Sequence, residues 1–176
     1  MNTRTKTGQL PITLAELRSF VHMDGTDDDA QLQRCIESGV DYIERETERD
    51  IIEGDVEELV EPTNVAGGKC VTLDRSPAIS LESVTVDGEE IAEGFEFRPN
   101  SHRRSRIHFV YGVPAGTVVV RYRTGMANDP TAKQACLWAA SHFFCNREPE
   151  VVGGTINQFT SGLRRMIKLL GAAGYA

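Results

Sequence analysis

The stretch DDDAQLQRCIESGVDYIERETER, residues 27–49, has the most regular helical pattern in the sequence. Its apolar residues recur at helical spacing, opposite a side of acidic and polar residues, and they are Leu32, Cys35, Ile36, Val40 and Ile43. Such a stripe is typical of a helix that packs one face against a core. The aspartates at 27–29 suit the positive end of the helix dipole, so we predict a helix over about 28–49.

Two more helices are predicted from their end signals. Thr13 and Glu16 have the spacing of a capping box, which predicts a helix over about 13–23. Asp129 followed by Pro130 suits the N-cap and first helical position, which predicts a helix over about 130–147. This third helix is apolar nearly all round, and its alanines allow close approach by a neighbour. Its large packing residues are Trp138, Phe143 and Phe144.

Between these helices, from about 56 to 124, the pattern changes to short alternating runs rich in Val, Ile, Thr and aromatic residues. Asp87-Gly88 is a hairpin-turn signal. The N-terminal MNTRTKTGQL is expected to be a frayed polar arm, and residues 160–176 a helix or tail. We therefore expect an α+β fold in one domain over 1–176: mainly an α-helical bundle, with a small antiparallel β module inserted between the second and third helices.

The distribution of charge along the chain is uneven. The formal net charge is −7, but residues 24–61 carry −12 and residues 100–176 carry +7. This balance does not favour a globally basic nucleic-acid binder. It fits either solvated faces or a subunit that packs head to tail against copies of itself. The candidate inter-subunit charges are Asp27, Asp28 and Asp29 on one side and Arg103, Arg104 and Arg106 on the other.

The sequence motifs that would indicate a metal site or a phosphate-binding loop are incomplete. His142 and Cys145 share a helical face, but no second pair stands at metal-ligand spacing. The stretch AGGKC, 66–70, lacks the full phosphate-loop pattern. The basic loop at 100–106 could touch phosphates, contact an acidic neighbour or be solvated. We expect no catalytic residue, no metal, no cofactor and no enzymatic activity. We also expect no signal peptide and no membrane partner, because long apolar runs are missing.

Three stretches together resemble the head–tail connector (adaptor) proteins of long-tailed bacteriophages, prophages and gene transfer agents. They are ITLAELRSFVHMDGTDDDAQLQRCIESGVDYIERETER at 12–49, SPAISLESVTVDG at 76–88 and VVVRYRTGMANDPTAKQACLWAASHFFCNRE at 118–148. Their order and spacing, more than any single motif, carry the resemblance, and together they cover most of the chain.

The resemblance implies a structural virion protein at the head–tail interface, assembled in the bacterial host cytoplasm. Copies would form a ring, commonly a dodecamer, beneath the portal protein. The ring would extend the DNA channel used in packaging and ejection, with DNA only as passing cargo, and would dock the tail-side stopper or tail-completion protein. The C-terminal segment would contact the portal through Leu163, Arg164, Arg165, Ile167 and Lys168.

Two other functions remain open from the sequence alone. One is a different head or tail completion protein of the stopper type, built from the same helix-plus-sheet parts. The other is a small metal-dependent enzyme or nucleic-acid-binding regulator. Metal content and DNA binding of the purified protein would reveal the latter class.

Overall fold

The computed structural model describes residues 2–60, 65–66, 68–100, 104–146 and 161–171. The chain forms two structural units and passes from one to the other near residues 8, 51 and 126. The helical unit contains Gln9–Ile51 and the described residues from 127 onward. The β unit contains the described N-terminal residues up to Gly8, and Ile52–Met126.

The helical unit contains four helices in the described residues: α1 (Leu14–Phe20), α2 (Asp29–Thr47), α3 (Pro130–Cys145) and α4 (Ser161–Gly171). The predicted capping box at α1 is confirmed, since the Thr13 hydroxyl accepts from the Glu16 N–H at 3.2 Å and the Glu16 carboxylate accepts from the Thr13 N–H at 2.6 Å. Asp129 caps α3 as predicted, accepting from the Ala132 N–H at 2.9 Å.

The start of α2 differs from the expectation. Asp28 occupies the N-cap position, but its side chain makes no capping hydrogen bond. Asp29 instead forms an ion pair with Arg18 of α1. The aspartates at this end therefore help to join two helices, in addition to lying where the helix dipole favours negative charge.

The helices α2 and α3 approach each other closely through small residues. A Cβ atom added to Gly39 would lie 2.8 Å from the Ala140 backbone nitrogen, closer than real atoms pack. The buried side of α3 consists of small residues and one aromatic, namely Ala132, Ala135, Cys136, Ala139, Ala140 and Phe144. The predicted role of the alanines in allowing close helix approach is thus confirmed.

The described residues of the β unit form two antiparallel sheets. The five-stranded sheet has the order β1-β2-β9-β5-β6, and the four-stranded sheet has the order β3-β4-β8-β7. The strands are β1 (Thr3–Lys6), β2 (Gly54–Leu59), β3 (Val65–Ala66), β4 (Cys70–Thr72), β5 (Ala78–Val86), β6 (Glu89–Glu90), β7 (Phe95–Arg98), β8 (Arg106–Phe109) and β9 (Val118–Thr124).

The expectation of a mainly helical bundle with one small sheet is wrong. The N-terminal residues are not a frayed arm, because β1 pairs along β2 from Thr3↔Glu57 to Lys6↔Gly54. The strand β2 was not recognised because half of its sequence, GDVEEL, is acidic and it lacks an apolar alternation. Strands β8 and β9 follow each other in sequence but lie in different sheets. The predicted hairpin turn is confirmed: Asp87 and Gly88 both have positive φ and connect β5 to β6.

The two sheets share one apolar core. Its members come from inward positions on both sheets: Val56, Val71, Leu73, Ala78, Val84, Ile107, Phe109, Val118, Val120 and Tyr122. A carboxylate is also buried in this unit, because Glu58 of β2 is 0% exposed. Glu58 Oε2 accepts from the Tyr122 hydroxyl at 2.5 Å, and both carboxylate oxygens accept from the Asp74 N–H at 3.0 and 3.2 Å. These bonds satisfy a group that would otherwise be costly to bury.

Candidate functional site

The first candidate surface is helix α4, which has a buried side and a basic side. Leu163 is 1% exposed, and Ile167 is half-buried. Arg164, Arg165 and Lys168 are exposed, and we call these three residues the α4 basic face. Of the residues predicted to contact the portal, Leu163 therefore packs inside the helical unit, while the three cations are accessible to a partner. The predicted contact itself stays a prediction.

An apolar groove lies beside α4 within the helical unit. Its volume is about 580 Å³, and it is lined by Phe20, Trp138, Ser141, His142, Cys145, Asn146, Gly162 and Leu163. Trp138 packs directly on α4, since a Cβ atom at Gly162 would lie 2.6 Å from the indole ring. The groove brings together Trp138, predicted as a packing residue, and Leu163, predicted as a portal contact.

The other predicted packing residues of α3 take different positions. Phe144 is 8% exposed, within the buried side of the helix. Phe143 is half-buried, and its ring meets the Tyr42 ring edge-on with centroids 6.0 Å apart. The three aromatic residues of α3 thus contact different parts of the helical unit.

His142 and Cys145 both line the apolar groove. Burial lowers the pKa of His142, which favours the neutral imidazole. The Asn146 side-chain nitrogen lies 3.3 Å from His142 Nδ1, and the Asn146 N–H donates to the His142 carbonyl at 2.9 Å. Among the residues that the structure describes, no group of three His, Cys, Asp or Glu could hold a metal ion.

The second candidate surface is a groove on the β unit that we call the arginine groove. Its volume is about 260 Å³, and its lining residues are Cys70, Arg98, Pro99, Asn100, Arg104 and Arg106. Arg98 forms an ion pair with Glu96 at 2.6 Å, and Arg104 forms one with Asp74 at 3.4 Å. The groove thus contains two of the predicted basic residues, Arg104 and Arg106. The third, Arg103, lies outside the described residues.

Arg98, which also lines this groove, was not predicted from the sequence. Arg98 lies in a strand rather than in the basic loop, and it stands directly opposite Arg106 in the pairing of β7 with β8. The alternation in FEFR places Glu96 and Arg98 on the same side of β7, opposite the side of Phe95 and Phe97. This alternation could have identified Arg98 as an outward-facing residue from the sequence.

Among the exposed acidic residues of the described chain, two places are relevant to the predicted charge contacts. Asp27 is exposed, whereas Asp28 and Asp29 are half-buried at the start of α2. The second place, which the sequence analysis did not single out, is the β5–β6 hairpin. Glu89 and Glu90 of β6 and Glu93 in the loop that follows are all exposed, and we call these three residues the acidic hairpin. Within the described part of the chain, none of these three glutamates forms an ion pair.

Within the described ranges, no helix is long and apolar enough to cross a membrane. The described residues thus offer four candidate surfaces, namely the α4 basic face, the apolar groove, the arginine groove and the acidic hairpin.

Comparison by sequence finds no relative: no protein-family model matches, and no curated protein matches. Comparison by structure finds chains of gene transfer agent (GTA) particles. A chain from the neck of an empty GTA particle, computed with C6 symmetry, has a TM-score of 0.70 at 16% identity, covering 93% of this chain and 94% of that one. A chain from the virion of a native GTA particle has a TM-score of 0.72 at 18% identity, covering 94% and 93%.

A third chain belongs to the neck of a native GTA particle computed with C12 symmetry. Its TM-score is 0.69 at 17% identity, and the match covers 93% of this chain and 94% of that one. Since each match covers nearly the whole of both chains, the fold is shared over both structural units. The resemblance drawn from the sequence is confirmed at the level of the fold, which is that of chains in the neck and virion of gene transfer agents.

Proposed function

We propose that this protein is a structural component of the neck of a phage-like particle, specifically a head–tail connector that forms a ring beneath the portal. The observation that carries the proposal is the shared fold with GTA neck chains over more than nine-tenths of both chains. Those necks were computed with C6 and C12 symmetry, which supports a rotationally symmetric assembly and a ring of twelve copies.

In this ring, the α4 basic face is the proposed contact with the portal. Arg164, Arg165 and Lys168 are exposed on a helix whose other side is anchored by Leu163 and Leu170, 1% and 6% exposed. Exposed cations on a packed helix can steer and orient an acidic partner surface. The opposite end of the ring would bind the tail-side stopper or tail-completion protein, and DNA would pass through the central channel.

The proposed activity is binding and positioning, without a reaction or a cofactor. The surfaces that the structure presents would determine the order of assembly, in which the portal binds one side of the ring and the tail protein binds the other. The protein would act in the virion, after assembly in the host cytoplasm.

The test is electron microscopy of the purified full-length protein mixed with the portal ring encoded by the same particle. We expect a complex in which the number of connector copies matches the portal symmetry. Native mass spectrometry would count the copies independently. A protein that binds neither the portal nor tail-side components, and whose deletion leaves particles with tails attached, would contradict the proposal.

A charge-reversal variant tests the assigned portal contact. We expect R164E/R165E/K168E to lower portal binding by roughly tenfold or more, because like charges at an interface are strongly unfavourable. R34E/R45E/K133E is the matched control, since it changes the net charge by the same amount at exposed or half-buried sites elsewhere. Equal loss of binding in both variants would show an effect of net charge rather than a contact at α4.

A further inference from the structure

The arginine groove contains an arrangement of charge that is unfavourable in the isolated subunit. Arg98 and Arg106 stand directly opposite each other on neighbouring strands, and like charges in that position destabilise a sheet. Glu96 pairs with Arg98, and Asp74 pairs with Arg104. Among the described residues, no carboxylate pairs with Arg106. The groove therefore has an excess of positive charge that an incoming anion would relieve.

The shape of the groove is held in place by buried backbone and side-chain contacts. Ser105, between two of the arginines, is 0% exposed. Its hydroxyl accepts from the Asn100 N–H at 3.1 Å, and its carbonyl accepts from the Leu73 N–H at 3.0 Å. The backbone that carries Arg104 and Arg106 is thus held in place before a partner binds, which lowers the entropy lost on binding.

The acidic hairpin is the complementary surface on the same unit. Residues 76–97 contain no Lys or Arg, and no cation among the described residues forms an ion pair with Glu89, Glu90 or Glu93. The turn is also fixed: Asp87 and Gly88 adopt positive φ, and the Asp87 carboxylate accepts from the Thr117 N–H at 2.8 Å. The preformed turn thus presents Glu89 and Glu90 with less conformational freedom to lose, and Glu93 follows in the next loop.

We infer that, in the proposed ring, the acidic hairpin of one copy docks into the arginine groove of the next copy. This inference rests on the proposed function, because it requires a ring. Guanidinium groups bind carboxylates in bidentate geometry, and no described carboxylate pairs with Arg106, so Arg106 is the principal contact for a hairpin glutamate. Arg98 and Arg104, whose ion pairs with Glu96 and Asp74 are exposed to solvent, add positive charge around it. The two surfaces are different parts of the same subunit, which is the requirement for the head-to-tail contact of a cyclic ring.

Two observations favour this pairing over other partners. Asp29, which the sequence suggested as an inter-subunit charge, already pairs with Arg18 inside the helical unit. Proteins that bind DNA through phosphates carry an extended basic stripe, whereas this groove is small and the protein has a net charge of −7. DNA binding by the groove is therefore the alternative outcome that the experiment must distinguish.

The experiment is a charge swap in the full-length protein, measured on the portal complex by native mass spectrometry and electron microscopy. One variant, R98E/R104E/R106E, makes both surfaces acidic, and the other, E89K/E90K/E93K, makes both surfaces basic. We expect each variant alone to form rings at least tenfold less efficiently than wild type, because like charges now meet. An equimolar mixture should restore rings with a 1:1 composition, since each variant then meets its opposite charge.

The sixfold variant that combines both sets of substitutions should also form rings alone, because attraction is restored with exchanged signs. The control R34E/R45E/K133E should assemble like wild type. Circular dichroism and thermal unfolding of each variant would establish that the subunits are folded. Rescue by mixing cannot result from a loss of folding, so it separates a contact from a structural defect.

Several results would overturn the inference. Normal assembly of both single-set variants would show that the surfaces do not meet. Loss of assembly without rescue in the mixture would show that they do not meet each other. Loss of DNA binding only in R98E/R104E/R106E, with normal rings, would assign the groove to DNA. If wild type itself forms no complex with the portal, the proposed function fails instead, and the two failures are thereby distinguished.

Discussion

The interiors of the helical unit and of the β unit are packed in different ways. In the helical unit, small residues let two helices come so close that Gly39 has no room for a side chain against Ala140. In the β unit, the two sheets enclose a carboxylate, Glu58, and hold it with hydrogen bonds from Tyr122 and Asp74. The first arrangement depends on shape alone, and the second depends on satisfying a buried polar group.

The largest expected effect tests the shape-dependent packing of the helical unit. Gly39→Leu should lower the free energy of unfolding by roughly 3 kcal/mol, because the added side chain has to displace the α3 backbone. Urea unfolding followed by circular dichroism measures it. Ser38→Leu is the matched control, since Ser38 is the exposed neighbour on α2. Equal stability of the two variants would show that the helices can separate without loss.

A smaller loss is expected from the buried polar group of the β unit. Tyr122→Phe should lower the free energy of unfolding by about 2 kcal/mol, because Glu58 loses a donor and the Arg75 N–H loses an acceptor at 3.2 Å. Tyr111→Phe removes the same hydroxyl from a side chain that is 92% exposed, and should have little effect. If both variants have wild-type stability, the Glu58 hydrogen bonds are not what holds this unit together.

The next prediction concerns Asp129, the N-cap residue of α3 in the helical unit. Asp129→Ala should cost about 1 kcal/mol, because the N–H of Ala132 loses its acceptor. Asp129→Asn keeps the acceptor while removing the charge, and should retain most of the stability. A loss of the same size in Asp129→Asn would assign the effect to charge, including the nearby Arg49, rather than to the cap.

The smallest expected effect concerns how stability varies with pH. Burial raises the pKa of Glu58 above its ordinary value of 4.5, while its hydrogen bonds oppose the rise. As the pH rises above 4.5, Glu58 loses its proton first in the unfolded chain, while it keeps the proton in the folded protein. The free energy of unfolding therefore falls as the pH rises, until Glu58 ionises in the folded protein as well. Stability measured against pH should therefore decline less in Glu58→Gln than in wild type.

Glu57→Gln is the control for this pH series, because Glu57 is exposed and pairs with Arg121 at the surface. Its stability curve should follow that of wild type. A curve for Glu58→Gln that runs parallel to wild type from pH 4 to 8 would mean that Glu58 does not retain its proton in the folded state.

Much of the helical unit could be predicted from the sequence, because local rules determine it. The stripe from Leu32 to Ile43, the capping box at Thr13 and the cap at Asp129 depend on residues that are close in sequence, and the structure contains all three. The β5–β6 turn was predictable for the same reason, since Asp87-Gly88 has the backbone freedom that such a turn needs.

The β unit was harder to predict because its strands pair with residues far away in the chain. The strand β1 exists only because β2, some fifty residues later, provides hydrogen-bond partners for a polar segment. The strand β2 contains Glu58, whose burial depends on Tyr122, and Tyr122 comes more than sixty residues later. No local pattern predicts the buried pair of Glu58 and Tyr122, because a glutamate in a strand ordinarily indicates an exposed position.

By itself, the sequence determined where the principal helices begin, which faces of them are buried, where the sharpest turn lies and how unevenly the charge is distributed. Periodicity, capping and turn chemistry act between neighbours and need no further information. Only the tertiary structure decided that the described strands form two sheets, that Arg98 joins Arg104 and Arg106 in one groove, and that no cation among the described residues forms an ion pair with the hairpin glutamates. Those features depend on strand register, and register is set by contacts between residues that are distant in sequence.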